Sequence, residues 1–143
     1  MAHHFGLYYG AADGAELTFV DRNEKGGDVG SPPNWQVPVS STFTPAATDR
    51  IYVVAWNDGG QQMWMGNFNL PGGQTLLSNT TDWQWAAGSG ANPGPQGDVP
   101  SITTLTSDSQ NANWQTVSAS LPYGTSPWSP VAGINSSAAR QKI

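Results

Sequence analysis

Apolar residues occupy every position of the segment 51–56, which reads IYVVAW. Because successive side chains of a β-strand point to opposite faces, this pattern predicts a strand that is covered on both sides. Residues 57–60, Asn-Asp-Gly-Gly, follow at once, and such pairs tolerate the positive φ angles of a tight turn. The segment 61–70, with Trp64 and Phe68 on one side, is therefore predicted to return as the second strand of a hairpin.

Short extended segments recur along the rest of the chain, separated by Gly, Pro and Asn residues. They are 5–9, 16–20, 35–43, 74–77, 81–85, 102–106 and 114–121. Good helix formers nowhere repeat at a period of about 3.6, which argues against helices. The pattern predicts one all-β domain over residues 1–143, an antiparallel β-sandwich of jelly-roll or Ig-like type with about eight short strands. A β-barrel or a partial propeller is the minor alternative.

Three segments are predicted to lie outside the strands. Residues 21–34 read as a long charged loop, and residues 86–100 read as a small-residue loop with no hydrophobic anchor larger than Val99. Residues 135–143 are predicted to be a polar tail, either a short helix or frayed. Long loops in compact domains often carry function, so residues 21–34 are a candidate for a binding site.

The predicted loop at residues 21–34 carries a weak metal-binding pattern. Asp21, Asn23 and Asp28 supply the side-chain oxygens that Ca²⁺ prefers. An EF-hand loop is excluded, because Lys25 occupies a ligand position and Pro32 stands where the bidentate Glu belongs. A looser Ca²⁺ site shared with another loop is the remaining expectation for these residues, and no other cofactor is indicated.

The composition describes a neutral, polar surface. The chain has 143 residues and no cysteine, so it lacks a disulfide framework and a thiolate metal site. Only 10% of its residues are Asp, Glu, Lys or Arg, against about 25% in an average soluble domain. Low charge favours an extracellular protein or a component of a cell or virion surface, although the first ten residues do not resemble a signal peptide.

Charge and hydropathy exclude two classes of partner. The net charge is −5 with five basic residues in total, and nucleic-acid phosphates require clustered Lys and Arg. An anionic membrane surface is excluded for the same reason. No apolar run approaches the roughly 18 residues that span a bilayer, so no membrane insertion is expected.

Seven Trp residues are the most informative excess in the composition. Trp56 and Trp64 alternate with other apolar residues, which favours a place in the core. Trp35 and Trp128 lie beside prolines in predicted loops, where indole rings are more often exposed. Trp83 and Trp85 share one side of a predicted strand, and the pair is either core or a flat platform.

Aromatic rings flanked by neutral polar residues are typical of sugar-binding sites. The C–H face of a pyranose stacks on indole, and its hydroxyls need amide or carboxylate partners. The sequence therefore predicts a non-catalytic lectin or carbohydrate-binding module whose partner is a glycan or polysaccharide. The candidate ligand-binding residues are Asn34, Trp35, Asp82, Trp83, Gln84, Trp85 and Trp128. The run 113–115, Asn-Trp-Gln, has the same residue types.

Two other classes of function compete with this one. Trp, Asn and Gln are also typical of subunit interfaces, so the alternative is a structural subunit of an extracellular or virion assembly, a homo-oligomeric fibre, appendage or decoration protein. An enzyme is not predicted, because both histidines lie at the chain start and no Ser-His-Asp motif exists. Asp58 and Asp82 could form a carboxylate pair for glycoside hydrolysis, but Asp58 reads as a turn former and Asp82 as a solvent-facing residue.

Overall fold

The computed structural model describes residues 4–23, 39–56, 63–64, 66–77, 79, 81–94, 96–119, 134–135 and 140–142. Within these ranges the chain is mostly β-strand with little helix, as the sequence predicts. The elements are β1 His4–Gly10, β2 Thr18–Arg22, β3 Arg50–Trp56, β4 Met63–Trp64, β5 Asn67–Asn69, β6 Thr75–Leu77, β7 Gln84–Ala86, α1 Ile102–Asn111, β8 Gln115–Thr116, β9 Ser118–Ala119, β10 Ile134–Asn135 and β11 Arg140–Lys142.

The described strands pair antiparallel in three sheets. The largest has six strands in the order β2-β1-β3-β11-β7-β8, a second has the order β4-β10-β9, and β5 pairs with β6 in a two-stranded ribbon. Strand β3 lies inside the six-stranded sheet, and all its residues from Ile51 to Trp56 are buried. The prediction that this apolar run is a strand covered on both sides is therefore confirmed.

The predicted hairpin between 51–56 and 61–70 is wrong. One edge of β3 pairs with β1 over seven residues and the other edge pairs with β11, so neither is left for a returning strand. Strand β4 pairs instead with β10 in the second sheet. Turn-forming residues bend the chain locally, but they do not decide which strand pairs with which. The predicted turn, 57–60, lies outside the described residues.

The predicted strand at 102–106 is helical instead. Helix α1 starts after Ser101, whose side-chain oxygen accepts a hydrogen bond from the Thr104 backbone N–H at 3.2 Å. This is an N-cap, and it satisfies one of the amide groups that the first turn leaves without a partner. Leu105 is the buried residue of the helix, while Ile102 is 43% exposed. A helix held by one apolar residue leaves no 3.6-residue repeat for sequence analysis to detect.

The polar end of the chain also differs from its prediction. Arg140–Lys142 is strand β11, not a helix or a frayed tail, and it lies between β3 and β7. Backbone hydrogen bonding to two neighbours holds such a strand without requiring an apolar pattern. Earlier in the chain, the predicted strand 114–121 is divided into β8 and β9 by the buried Val117. Of the predicted extended segment 35–43, the described part, 39–43, contains no strand.

Two hydrophobic clusters lie on opposite sides of the six-stranded sheet. We call one the helix side, because Leu105 of α1 belongs to it; its buried residues are Tyr8, Leu17, Tyr52, Val54, Trp56 and Leu105. The other, which we call the ribbon side, contains Phe68 of β5. Its buried residues are Ile51, Val53, Trp83 and Val117, and the half-buried Phe5, Leu7, Phe43, Phe68 and Trp85 pack against them. The alternation of side chains along β1 and β3 sends neighbouring residues to different clusters.

Residues 94 and 96–100, which we call the strap, cross the helix side and are held by side chains of the sheet. Trp56 Nε1 donates to the Gly94 carbonyl at 2.9 Å, Arg22 Nη1 donates to the Gly97 carbonyl at 3.1 Å, and the Tyr8 hydroxyl donates to the Pro100 carbonyl at 3.2 Å. Val99 packs against the cluster beneath. A segment that lacks large apolar residues is thus fixed by its carbonyl groups, which a hydropathy pattern does not reveal.

Candidate functional site

One row of paired residues crosses the whole six-stranded sheet on the ribbon side. In register order, it contains Asp21, Leu7, Val53, Gln141, Trp85 and Gln115. Two predicted site residues are therefore in one row, but they lie near its opposite ends. Four strand spacings separate Asp21 from Trp85, which amounts to about 19 Å. A calcium ion held by Asp21 and a sugar stacked on Trp85 would thus occupy separate sites.

Trp85 is the candidate residue whose surroundings best fit a ligand. It lies in β7, where its half-buried ring packs against the ribbon-side cluster. Gln115 of β8 is its direct partner across the strand pair and is exposed. Directly paired residues of antiparallel strands hold their Cβ atoms about 4.5–5.5 Å apart on the same face. The register therefore sets an accessible carboxamide beside a partly exposed indole.

The run Asn113-Trp114-Gln115 is divided between the two sides of the sheet. The chain leaves α1 in an extended conformation at Ala112, with φ −71° and ψ 140°, so alternate residues point to opposite sides. Trp114 lines a concavity on the helix side, and its Nε1 donates to the Ser109 carbonyl at 3.1 Å. Asn113 is exposed and alternates onto the side of Gln115. We call Trp85, Gln115 and Asn113 the Trp85 site.

Asp82 is fixed in a turn just before β7. Asn79 Oδ1 accepts hydrogen bonds from the backbone N–H groups of Thr81 and Asp82, at 2.8 and 2.7 Å, and Asn79 Nδ2 donates to Asp82 Oδ2 at 2.7 Å. This Asx turn holds the carboxylate in place while the residue stays exposed. Gln84 is also exposed, but its partner is Thr116, so it points away from the Trp85 ring.

Trp83 belongs to the core and not to a binding surface. Its exposed fraction is 0%, and the Phe68 ring lies 5.9 Å from it, centroid to centroid. A ring with no exposed area cannot stack on a sugar, so Trp83 leaves the candidate set in this structure. Three other predicted ligand-binding residues, Asn34, Trp35 and Trp128, lie outside the described residues, as does Asp58 of the hypothetical catalytic pair.

The oxygens of the weak metal candidates are engaged in protein hydrogen bonds. Asp21 Oδ1 accepts from the Arg22 backbone N–H at 2.8 Å, and Asp21 Oδ2 accepts from the Ser41 hydroxyl. Asn23 Oδ1 accepts from the Phe5 backbone N–H at 2.7 Å. Asp28, the third candidate, lies outside the described residues. In the part of the chain that the structure describes, no three His, Cys, Asp or Glu residues are grouped as metal ligands, and nothing there supports Ca²⁺.

The concavity on the helix side is too small for a sugar. Leu17, Tyr52, Val54, Leu105 and Trp114 line it together with Asp108. Its open volume is about 10 Å³, which is the space of about one water molecule. This space is the seam between α1 and the sheet, and it does not form a preformed ligand pocket. The Trp85 site is therefore the better candidate among the described residues.

Comparisons of the chain with protein-family models, with curated proteins and with solved structures found no match. A search of the described residues for membrane spans found no helix with the length and hydropathy to cross a bilayer. The candidate function therefore depends on the chemistry of the Trp85 site.

The sequence pattern contained part of this site. Trp85 was predicted from its aromatic-polar surroundings, whereas Gln115 and Asn113 were not among the predicted ligand residues. Their assignment needs the antiparallel register of β7 and β8, which joins segments thirty positions apart in the chain. The available signal was the shared residue composition of 82–85 and 113–115, and it did not show that the two runs are neighbours.

Proposed function

We propose that this protein is a non-catalytic carbohydrate-binding domain, a lectin or carbohydrate-binding module, whose ligand stacks on Trp85. The observation that carries the proposal is the β7–β8 register, which sets the exposed Gln115 beside the half-buried indole. The low content of charged residues in the chain suits an extracellular protein or one on a cell or virion surface. The proposal does not require any of the residues outside the described ranges.

The chemistry of the Trp85 site matches the chemistry of a sugar. An indole face accepts the C–H face of a pyranose ring, and that contact is mainly dispersion and apolar burial. A carboxamide carries two N–H donors and one acceptor oxygen. Gln115 and Asn113 can therefore each donate a hydrogen bond to a sugar hydroxyl or accept one from it. Aromatic contact and neutral hydrogen bonding are thus both available along one edge of the sheet.

The test is glycan-array binding, followed by calorimetry on any glycan that binds. We expect Trp85→Ala to weaken binding by at least about tenfold, equivalent to about 1.4 kcal/mol. Trp114→Ala is the matched control, because its ring is also half-buried but lies on the helix side, and it should leave affinity unchanged. Circular dichroism confirms that both variants fold. If Trp85→Ala binds glycans as the wild type does, the proposal is refuted.

The rim of half-buried apolar residues on the ribbon side supports a second candidate function. Phe5, Phe43 and Phe68 lie around that core with Trp85, and Leu70, which follows β5, is 39% exposed. Exposed apolar patches often mark contacts between proteins, and here they favour a homo-oligomeric structural subunit. Light scattering at micromolar concentration tests this alternative. A species larger than a monomer that Phe68→Glu dissociates would support assembly, whereas a monomeric wild type would count against it.

We also propose that the fold is a β-sandwich, in which the ribbon of β5 and β6 belongs to the layer opposite the six-stranded sheet. Phe68 supports this arrangement, because it extends from β5 to pack against the ribbon-side cluster. The jelly-roll or Ig-like connectivity expected from the sequence remains part of this proposal. Hydrogen exchange offers a test, since Phe68→Ala should raise exchange in β3 if the ribbon covers that part of the sheet.

A further inference from the structure

The strap is fixed at its two ends, while none of its described residues is buried. At its start, the Asn92 side-chain oxygen accepts a hydrogen bond from the Gly94 backbone N–H at 2.9 Å, and Gly94 has a φ of +72°. At its end, Ser101 is the N-cap of α1. Every strap residue that the structure describes is half-buried or exposed, and none belongs to a strand. The strap therefore joins two fixed turns without becoming part of the sheet.

Hydrogen bonds, and not apolar burial, hold most of the strap on the sheet. The side chains of Tyr8, Arg22 and Trp56 donate to the carbonyls at positions 100, 97 and 94. Val99 is the strap residue that packs against the helix-side cluster. When the strap lifts, water replaces each lost hydrogen-bond partner, so the net contribution of these bonds to stability is modest. Segments with so little apolar burial open locally at lower cost than the core.

The closed strap leaves one donor of Arg22 without a partner. Arg22 Nε donates to the Asn23 carbonyl and Nη1 donates to the Gly97 carbonyl, whereas Nη2 is buried and has no hydrogen-bond partner. A buried donor that lacks an acceptor raises the free energy of the state that contains it, and the effect is larger for a charged group. Because Nη1 of the same guanidinium contacts the strap, lifting the strap admits water to Nη2. The closed state thus carries a penalty that opening removes.

We infer that the strap is a lid, which opens as one unit over Tyr8, Arg22 and Trp56 while the six-stranded sheet stays folded. Gly94 permits the change in backbone angles that a hinge requires, and the N-cap of α1 keeps the helix in place. Opening uncovers an indole N–H, a phenol hydroxyl and a guanidinium together. The lid lies on the helix side, opposite the Trp85 site, so its opening can be tested independently of glycan binding.

The experiment measures hydrogen exchange of the full chain by NMR, with the Trp56 indole N–H as the probe of the lid. This N–H is bonded to the Gly94 carbonyl, so it exchanges with solvent only after that bond opens. The backbone amides of β3 report unfolding of the sheet. Exchange is followed at increasing urea concentrations below the unfolding transition, because urea accelerates an opening in proportion to the surface that the opening exposes.

Three variants separate lid opening from unfolding. Val99→Ala removes the apolar anchor of the strap, and Tyr8→Phe removes one hydroxyl donor while keeping the ring. Each should speed exchange of the Trp56 indole N–H at least about threefold. Val117→Ala is the control, because Val117 is buried in the ribbon-side core. It should speed exchange of the β3 amides and change that of the Trp56 indole N–H by less than about twofold. Circular dichroism confirms that each variant folds.

In the wild type, we expect the Trp56 indole N–H to be at least about tenfold less protected than the slowest β3 amides, with a shallower dependence on urea. Equal protection and equal urea dependence would show that the strap leaves the sheet only when the protein unfolds, and the lid would be wrong. The same conclusion follows if Val117→Ala speeds both kinds of exchange equally. If neither Val99→Ala nor Tyr8→Phe speeds exchange of the Trp56 indole N–H, a motion other than strap opening exposes it, and the lid is again wrong.

Discussion

The two sides of the six-stranded sheet are closed by different means. On the helix side the buried cluster is covered by α1 and by the strap, and Val99 is the partly buried apolar residue described against it. On the ribbon side five half-buried residues, four of them aromatic, surround a buried group of four. The same sheet therefore presents a core covered by α1 and the strap on one side and a core with an accessible aromatic rim on the other. We expect stability to depend on the buried residues of both sides, and recognition on the rim.

This difference comes from what crosses each side and not from the strands themselves. Strand β3 contributes buried residues to both clusters. The strap covers the helix side with backbone whose carbonyls accept hydrogen bonds from Trp56, Arg22 and Tyr8. The ribbon side is packed by individual side chains such as Phe43 and Phe68, which leave part of their own surface exposed.

The largest expected effect is a difference in stability between two Trp→Ala variants of the ribbon side. Trp83→Ala should lower the free energy of unfolding by about 3–5 kcal/mol, because a fully buried ring leaves a cavity. Trp85→Ala should cost about 1–2 kcal/mol, since its half-buried ring loses less apolar contact. Urea unfolding followed by far-UV circular dichroism gives both values without depending on Trp fluorescence. Equal losses would show that Trp85 is core and that the rim is not a separate surface.

The second effect concerns the attachment of α1 to the helix side. Leu105→Ala should destabilise the protein by about 2–4 kcal/mol, because Leu105 is the buried residue that holds the helix on the sheet. Ile102→Ala, on the same helix but 43% exposed, should change stability by less than about 0.5 kcal/mol. Chemical denaturation measures both variants. A costly Ile102→Ala would mean that the exposed end of α1 is covered by another surface.

The next prediction compares two glycines whose surroundings differ in crowding, Gly14 beside α1 and Gly72 in the β5–β6 turn. Gly14 has φ +77°, and a Cβ there would stand 2.3 Å from Ser109 Cβ of α1. Gly72, in the turn between β5 and β6, has φ +86° and open space around it. Gly72→Ala should cost about 1–2 kcal/mol for the left-handed backbone alone, and Gly14→Ala should add about 1–3 kcal/mol of overpacking. Thermal unfolding measures the difference, and equal midpoints would contradict the tight contact between the turn and α1.

The smallest effect is a loss of stability in alkaline solution that depends on Tyr52. Burial on the helix side raises the pKa of its hydroxyl above the ordinary value of 10, and the nearby Asp13 and Asp49 carboxylates act in the same direction. The unfolded chain therefore releases this proton first, so the folded state loses stability as pH rises above about 10. Tyr52→Phe should flatten this alkaline decline in the unfolding midpoint. Tyr9→Phe, which removes a hydroxyl from the ribbon side, is the control, and identical slopes in both variants would refute the assignment.

The fold could be predicted where the side-chain pattern alone decides the structure. The doubly apolar run of β3 predicted a central strand, and the aromatic run at 5–9 predicted β1. Pairing could not be predicted, because the partners of β3 are β1 and β11, far apart in sequence. Helix α1 was missed because β-branched Ile and Thr residues favour strands by propensity, whereas a Ser101 cap and one buried Leu hold the helix here.

The kinds of residue in the candidate site could be predicted from the sequence, but the particular residues that form it could not. Trp83 and Trp85 are equivalent in the alternation pattern, yet one is sealed and the other is half-buried. The Phe68 ring lies against Trp83, and the alternation pattern does not reveal this contact. Gln84 adjoins Trp85 in sequence but points to the other side, while Gln115 is distant in sequence and lies beside it.

The position of β11 has a consequence for the order in which the sheet forms during synthesis on the ribosome. Residues 140–142 join the β2-β1-β3 half of the sheet to the β7-β8 half, and they are synthesised after every other strand of that sheet. The two halves can form early, but the nascent chain cannot connect them until translation has passed these positions. Such distant pairings slow folding, so we expect each half of the sheet to form before the two halves are joined.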